Sequence, residues 1–198
     1  MIKEFFGFTH VPFTKEIATD FIFPSEQHQE LTARLHYAIE NRYFSLVTGE
    51  IGAGKSTAIR ALCESMDPSK YRFVYLSESR LSPRIFYQEV LYQLDTEPGF
   101  LQATAKRRFV EIEQRINVRF HLNGLSEEET KKYIFHSLQK AGGTHMFFSD
   151  DAVKAIYVHS NGIPRLINIC NDCLVDAVTR EQHTIDATTV ARVIAERQ

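Results

Sequence analysis

The chain has 198 residues, of which 43% are hydrophobic and 24% charged. These are the proportions of an ordinary globular protein, and they exclude a disordered, fibrous or low-complexity chain. Lys plus Arg number 23 against 25 for Asp plus Glu, a net charge of -2, so no global positive field draws the molecule to nucleic acid or an anionic membrane, and any basic site is local. The length suits one domain with a small appendage rather than two full enzymatic domains. Cys63, Cys170 and Cys173 are too few and too odd in number for a disulfide framework and point to a reducing, cytoplasmic setting. No run approaches the ~18 apolar residues of a membrane span, and Met1 to Phe6 lacks the pattern of a signal peptide.

Residues 1–24 are rich in aromatics (Phe5, Phe6, Phe8, Phe13, Phe21, Phe23) punctuated by Gly7, Pro12 and Pro24. Neither helical nor strand periodicity persists there, so the segment reads as an extended arm packing its rings on a neighbouring surface. Ser25 is placed to cap a helix through Leu31, Leu35, Ala38 and Ile39 that ends near Asn41. Tyr43 to Thr48 is an apolar run of strand length. From Lys55 the spacing Ala58, Ile59, Leu62, Cys63, Met66 fits one helical face, ended by Asp67-Pro68. Tyr71 to Ser77 reads as a second strand, buried on both faces of a parallel sheet. Ser82-Pro83 caps a helix to about Leu94, and 95–100 is a loop. Lys106 to Gln114 has helical character, and Ile116 to Leu122 alternates as a half-buried strand does. After Gly124 the composition changes. Ser126 to Glu129 is a capping box, and four short helices, at about 126–141, 149–159, 164–181 and 185–196, make an all-helical module of 75 residues that needs a partner surface. The expected division is therefore 1–42, an arm and helix; 43–123, an α/β core; and 124–198, a helical lid.

One stretch carries chemistry. Gly49-Glu50-Ile51-Gly52-Ala53-Gly54-Lys55-Ser56-Thr57 satisfies G-x-x-x-x-G-K-[ST], the Walker A pattern, between an apolar strand and a helix start, where its mechanism requires it. Glycines let backbone N–H groups turn inward around phosphates, and the helix from Lys55 presents its positive dipole end to them. Lys55 is expected to reach the β and γ phosphates of ATP, Ser56 to hold Mg²⁺, and Thr57 to contact the α phosphate. A metal-holding acid at the end of another buried strand completes a hydrolytic site, yet no apolar run leads into Asp-Glu or Asp-Asp. The nearest substitute is Phe73 to Glu78, with Ser77 in the metal position and Glu78 beside it, and a core strand ending in a polar loop is the favoured reading. Asp150-Asp151 reads as first-turn acid of a helix.

The aromatic start with Pro12-Phe13, Ser25 and His28 before the first long helix, the P-loop, Leu81-Ser82-Pro83-Arg84, Gln114-Arg115-Ile116 with Val118-Arg119, and Gly162-Ile163-Pro164-Arg165 together resemble the AAA+ ATPases of the ExeA secretion-pathway type. Relatives of that group regulate bacterial transposition. The resemblance covers nearly the whole chain in order. It implies a P-loop α/β fold with a parallel sheet and a C-terminal helical lid. It makes Arg165 the sensor-2 arginine that folds over the γ phosphate, a task suited to a permanently charged fork. It also makes Arg115, with Arg119 as the alternative, an arginine finger reaching a neighbouring subunit; it offers His28 a place near the adenine, although a histidine on the helix surface is the favoured reading there.

One departure is large. In such ATPases a Walker B strand and a sensor-1 strand separate the counterpart of Lys106–Ile112 from that of Gln114–Ile116, whereas here the two are almost adjacent. From residue 43 to residue 122 there are 80 residues, room for about two and a half βα units of roughly 30 residues rather than five. The sheet is therefore expected to be incomplete, with a junction near Ile112 and Glu113.

Cys170-Asn-Asp-Cys173 supplies only half of a zinc site and falls on the stripe Leu166, Ile169, Cys170, Cys173, Leu174, Ala177, Val178, so it reads as core. Lys106, Arg107 and Arg108 with Arg115 and Arg119 form the densest basic segment, and a solvated helix face is preferred there to DNA binding. The expected function is an ATP-binding AAA+ module, a switch of conformation or assembly with weak or lost hydrolysis, working as a homo-oligomer or beside related AAA+ subunits. The alternatives are a small P-loop kinase and a non-catalytic remnant that binds rings of full-length relatives.

Overall fold

The computed structural model describes residues 1–14, 18–74, 76, 82–94, 116–163 and 165–197. In chain order its elements are α1 (Ile2–Phe6), α2 (Glu26–Glu40), β1 (Phe44–Gly49), α3 (Lys55–Ser65), α4 (Pro83–Gln93), β2 (Ile116–Leu122), α5 (Glu127–Lys140), α6 (Asp150–Ser160), α7 (Arg165–Thr179) and α8 (Ala187–Ala195), with a 3-10 turn at Thr19–Phe21. Among the described residues no helix is long and apolar enough to cross a membrane.

Most helix starts follow from a side chain that satisfies an otherwise unpaired N–H. The Ser25 hydroxyl accepts from the His28 N–H at 3.2 Å, and Ser149 does the same for Ala152 at 3.2 Å. At α5 the capping box is complete: Ser126 accepts from the Glu129 N–H, and the Glu129 carboxylate accepts from the Ser126 N–H at 3.1 Å. Asp150 and Asp151 occupy the first turn of α6, as dipole compensation requires.

β1 and β2 pair in parallel, Ser45 with Val118 through Gly49 with Leu122. The strand that runs into the glycine-rich turn thus lies directly beside the last strand before the helical part. Along β2 exposure alternates, with Asn117, Arg119 and His121 outward and Val118, Phe120 and Leu122 inward. Val47, Phe120 and Leu122 pack with Leu31 and Leu35 of α2 and Ala58 and Leu62 of α3. Both helices therefore cover one face of this two-stranded sheet.

The second strand expected at Tyr71 to Ser77 is not formed in its described part: residues 71–74 and 76 are not in a strand. An apolar run becomes a strand only when a neighbour pairs its backbone, and among the described residues β1 is paired on one edge alone. Tyr75, Ser77 and Glu78 lie outside the described residues, as do the expected loop at 95–100 and the helix at 106–114.

The second core belongs to α5–α8. Ile134, Leu138, Ile156, Ile169, Leu174, Ile185 and Val190 are completely buried, and Cys170 and Cys173 lie among them, so the C-x-x-C pair is core. The aromatic arm joins this cluster: Phe6 and Phe8 meet the Phe147 ring edge-on at 5.0 and 5.4 Å, and Phe13 meets Phe148. Its beginning is not extended but a single helical turn, α1, closed by Gly7 at φ 71°. Burial of Phe6 on one side of that turn outweighs the weak intrinsic preference of so short a segment.

Candidate functional site

Gly49 ends β1 at φ 149° in close contact with β2: a Cβ there would stand 2.4 Å from the Leu122 carbonyl oxygen. Only glycine permits the strand to turn away at that point. The chain then winds through Gly52 at φ 88° and Gly54 at φ 96°, which serves as N-cap of α3. Gly54 has no side chain to cap with, and the N–H groups of Lys55, Ser56 and Thr57 have no backbone acceptor among the described residues, which leaves them available to an anionic ligand. The Lys55 ammonium donates to the Gly49 and Glu50 carbonyl oxygens at 2.9 and 2.8 Å, which holds it across the loop. Ser56 is exposed and Thr57 half-buried on the first turn.

A cavity of about 840 Å³ opens beside this loop, a size suited to a nucleotide-sized ligand. Glu50 to Gly54 and Thr57 line one end. Ile22, Phe23 and His28 line another, and Asn161, Gly162, Ile163 and Ile167 close it from the helical part. Gly162 fixes that last wall: its φ is 70°, and a Cβ would lie 1.9 Å from the Leu125 carbonyl oxygen. The Leu125 N–H donates to the Gly162 carbonyl at 3.0 Å. Gln27 ties α2 to the same region, accepting from the Asn123 N–H at 2.9 Å.

His28 carries the main polar signal in the apolar end. Its Nε2 is buried and has no hydrogen-bond partner among the described residues, and burial lowers the pKa of its ring, which favours the neutral form with one donor and one acceptor nitrogen. Burial also raises the Tyr133 phenol, so this wall bears no charge from either group. Among the described residues no group of three or more His, Cys, Asp and Glu could hold a metal ion.

The site residues expected from sequence separate into three sets. Gly49 to Thr57 form one continuous loop and helix start, of which Glu50 to Gly54 and Thr57 line the cavity while Gly49, Lys55 and Ser56 stand beside it in the chain without lining it. Arg165 begins α7, two residues beyond the cavity-lining Ile163, and its side chain lies outside the described residues. Arg115 lies outside them entirely, while Arg119 is exposed on β2. Ile22, Phe23, Asn161 and Ile167 were missed by sequence reasoning, because apolar or amide residues in loops carry no motif.

A glycine-rich loop from a parallel strand to a helix, open to a cavity walled by a helical lid, defines a P-loop nucleotide-binding fold of the AAA+ type. The AAA domain family model matches residues 38–179, well over half of the chain, which belongs to that family. The chain is 25% identical to general secretion pathway protein A of Aeromonas hydrophila over 254 residues, covering 93% of this chain and 46% of that protein. It thus spans about half the length of this relative. Since 93% of 198 residues is about 184, about 70 positions of the 254-residue aligned stretch have no counterpart here. Two solved structures share the fold. Drosophila ORC bound to DNA has a TM-score of 0.58 at 14% identity, covering 99% of this chain and 65% of that one. The Thermotoga maritima RuvB Holliday junction branch migration motor has a TM-score of 0.57 at 15% identity, with 92% and 72% covered.

Proposed function

We propose that the chain is an ATP-binding AAA+ module in which bound nucleotide sets the relation between the P-loop part, 43–123, and the helical lid, 124–198, and in which hydrolysis is slow. The observation that carries this reading is the cavity shared by the P-loop and the turn at Asn161 to Ile163, immediately before Arg165. A ligand seated there touches both parts at once, so its binding energy is sensitive to their relative position.

The residues fit the ligand. The free N–H groups at the start of α3 and the Lys55 ammonium suit the phosphates, and Ser56 supplies a hydroxyl for Mg²⁺. The orphaned His28 Nε2 suits a polar edge of the base. Leaving such a buried atom unpaired costs about 1–3 kcal/mol, which a ligand hydrogen bond recovers. Mg²⁺ would contribute charge neutralisation at the phosphates. Its expected carboxylate partner has no identified counterpart, and the roughly 70 unmatched positions support the loss of the segment that bears it. Arg165 over the γ phosphate and Arg115 or Arg119 toward a neighbouring subunit complete the reading. Homo-oligomers or mixed assemblies with related AAA+ subunits are the expected partners, DNA the less favoured one. The free thiols fit a reducing cytoplasm.

Binding of fluorescent Mg-ATP and single-turnover hydrolysis, measured on one preparation, test this together. Saturable binding with turnover near background is expected. Lys55→Ala should abolish binding, and undiminished binding would overturn the P-loop assignment. Hydrolysis at the rate of an ordinary motor would overturn the account of the missing acid.

A further inference from the structure

β1 is the strand that leads into the P-loop, and yet it is unusually open. On the edge away from β2, no backbone hydrogen bond to Phe44–Thr48 is found among the described residues. On the face away from α2 and α3, Phe44 is 46% and Leu46 36% exposed, next to Tyr43 at 42%. Natural sheet edges are protected by charge, proline or a bulge. Here Ser45 to Gly49 contains neither charge nor proline, and the one irregularity of register lies before it, between Phe44 and Ser45. An unpaired row of N–H and C=O groups flanked by exposed apolar side chains is a template for another strand.

We infer that this edge pairs antiparallel with the same edge of a second copy, making a four-stranded sheet in the order β2, β1, β1, β2. The strand is self-complementary in that sense. With the two-fold axis at Leu46, Phe44 faces Thr48 of the second copy, Ser45 faces Val47, and Leu46 meets its equivalent. Just outside the strand, Arg42 comes opposite Glu50 at both ends. Both residues are exposed, and neither is in an ion pair among the described residues. Parallel pairing would set Arg42 against Arg42 and Glu50 against Glu50, and it would not close on a two-fold axis. The α2 and α3 layer lies on the Val47 face, which leaves Leu46 on the opposite face 36% exposed. The two P-loops end at opposite ends of the joined sheet, so this contact is distinct from one that sends an arginine into a neighbour's nucleotide site.

Sedimentation velocity of the full chain without nucleotide, over a series of concentrations, should show a monomer–dimer equilibrium. Leu46→Lys should leave a folded monomer, judged by its circular dichroism. Arg42→Glu and Glu50→Arg should each raise the dissociation constant about tenfold, and the double reversal should restore it. In a Cys63→Ala background, Leu46→Cys should oxidise to a disulfide-linked dimer while Thr48→Cys should not, a readout that holds even if Leu46→Lys fails to fold. A monomer at every concentration, a dimer indifferent to both the charge reversals and the position of the cysteine, or assembly only as a larger nucleotide-dependent ring would overturn the inference.

Discussion

His28 caps nothing with its ring and yet is half-buried at the cavity wall, and its titration follows from that position. Its ordinary pKa of 6.5 is lowered because burial disfavours the charged imidazole, and His136 on α5 is lowered chiefly for the same reason, with Lys140 adding to it. The unfolded chain therefore binds more protons than the folded one once pH falls to about 6.5. The stability contributed by keeping these rings neutral is full above that pH and is lost as pH falls through the lowered folded values. Melting temperatures measured from about pH 7.5 to about pH 5 should decline, and less steeply in His28→Gln combined with His136→Gln. An identical slope in the double variant would assign acid sensitivity to other groups. Lys55 is the residue-scale counterpart on the polar side. Its hydrogen bonds to Gly49 and Glu50 hold the ammonium over the loop, and Lys55→Ala removes the charge together with both of them.

At the scale of elements, the capping box of α5 does more than start one helix. The Glu129 carboxylate accepts from the Ser126 N–H and also from the Glu26 N–H, the first of α2, at 3.2 Å, joining two helix N-termini that are far apart in sequence. Ser126→Ala should cost about 1 kcal/mol, and Glu129→Ala more, because it leaves a second helix start unpaired. Urea denaturation of the two variants compares them, and equal losses would show that the bridge to α2 contributes nothing. The arm is an element of the same kind, local in sequence and distant in effect. Phe6 is 7% exposed and contacts Phe5, Phe8 and Phe147. Phe6→Ala should destabilise the helical cluster by about 3–5 kcal/mol in equilibrium unfolding. A loss near zero would mean that the arm merely rests on the surface. Caps at Ser25, Ser82, Ser126 and Ser149 were legible from sequence because each acts on an N–H three residues away. α1 was not, since a five-residue helix is decided by where Phe6 is buried rather than by its own residues.

Across the whole molecule, β1 is where the fold and the candidate site meet. Its C-terminal end delivers the glycine loop, one face holds α2 and α3, and its outer edge has no backbone partner among the described residues. The strand expected at Tyr71 to Ser77 is not formed in its described part, while β1 pairs with β2, 67 residues beyond it in the chain. The sedimentation series decides whether a second copy completes the edge. What the amino-acid sequence by itself determined is local: the helix caps, the buried stripe of α7 with Cys170 and Cys173, the alternation of β2, and the phosphate-loop pattern from Gly49 to Thr57. Each depends on neighbours within a few residues, so it is written in the spacing. Which strand lies beside which, how the aromatic arm docks on the helical part, and how Ile22, His28, Asn161 and Ile167 converge on one cavity were decided only by the tertiary structure. Backbone pairing and burial are interactions between distant segments, and their outcome depends on which surfaces the rest of the chain supplies.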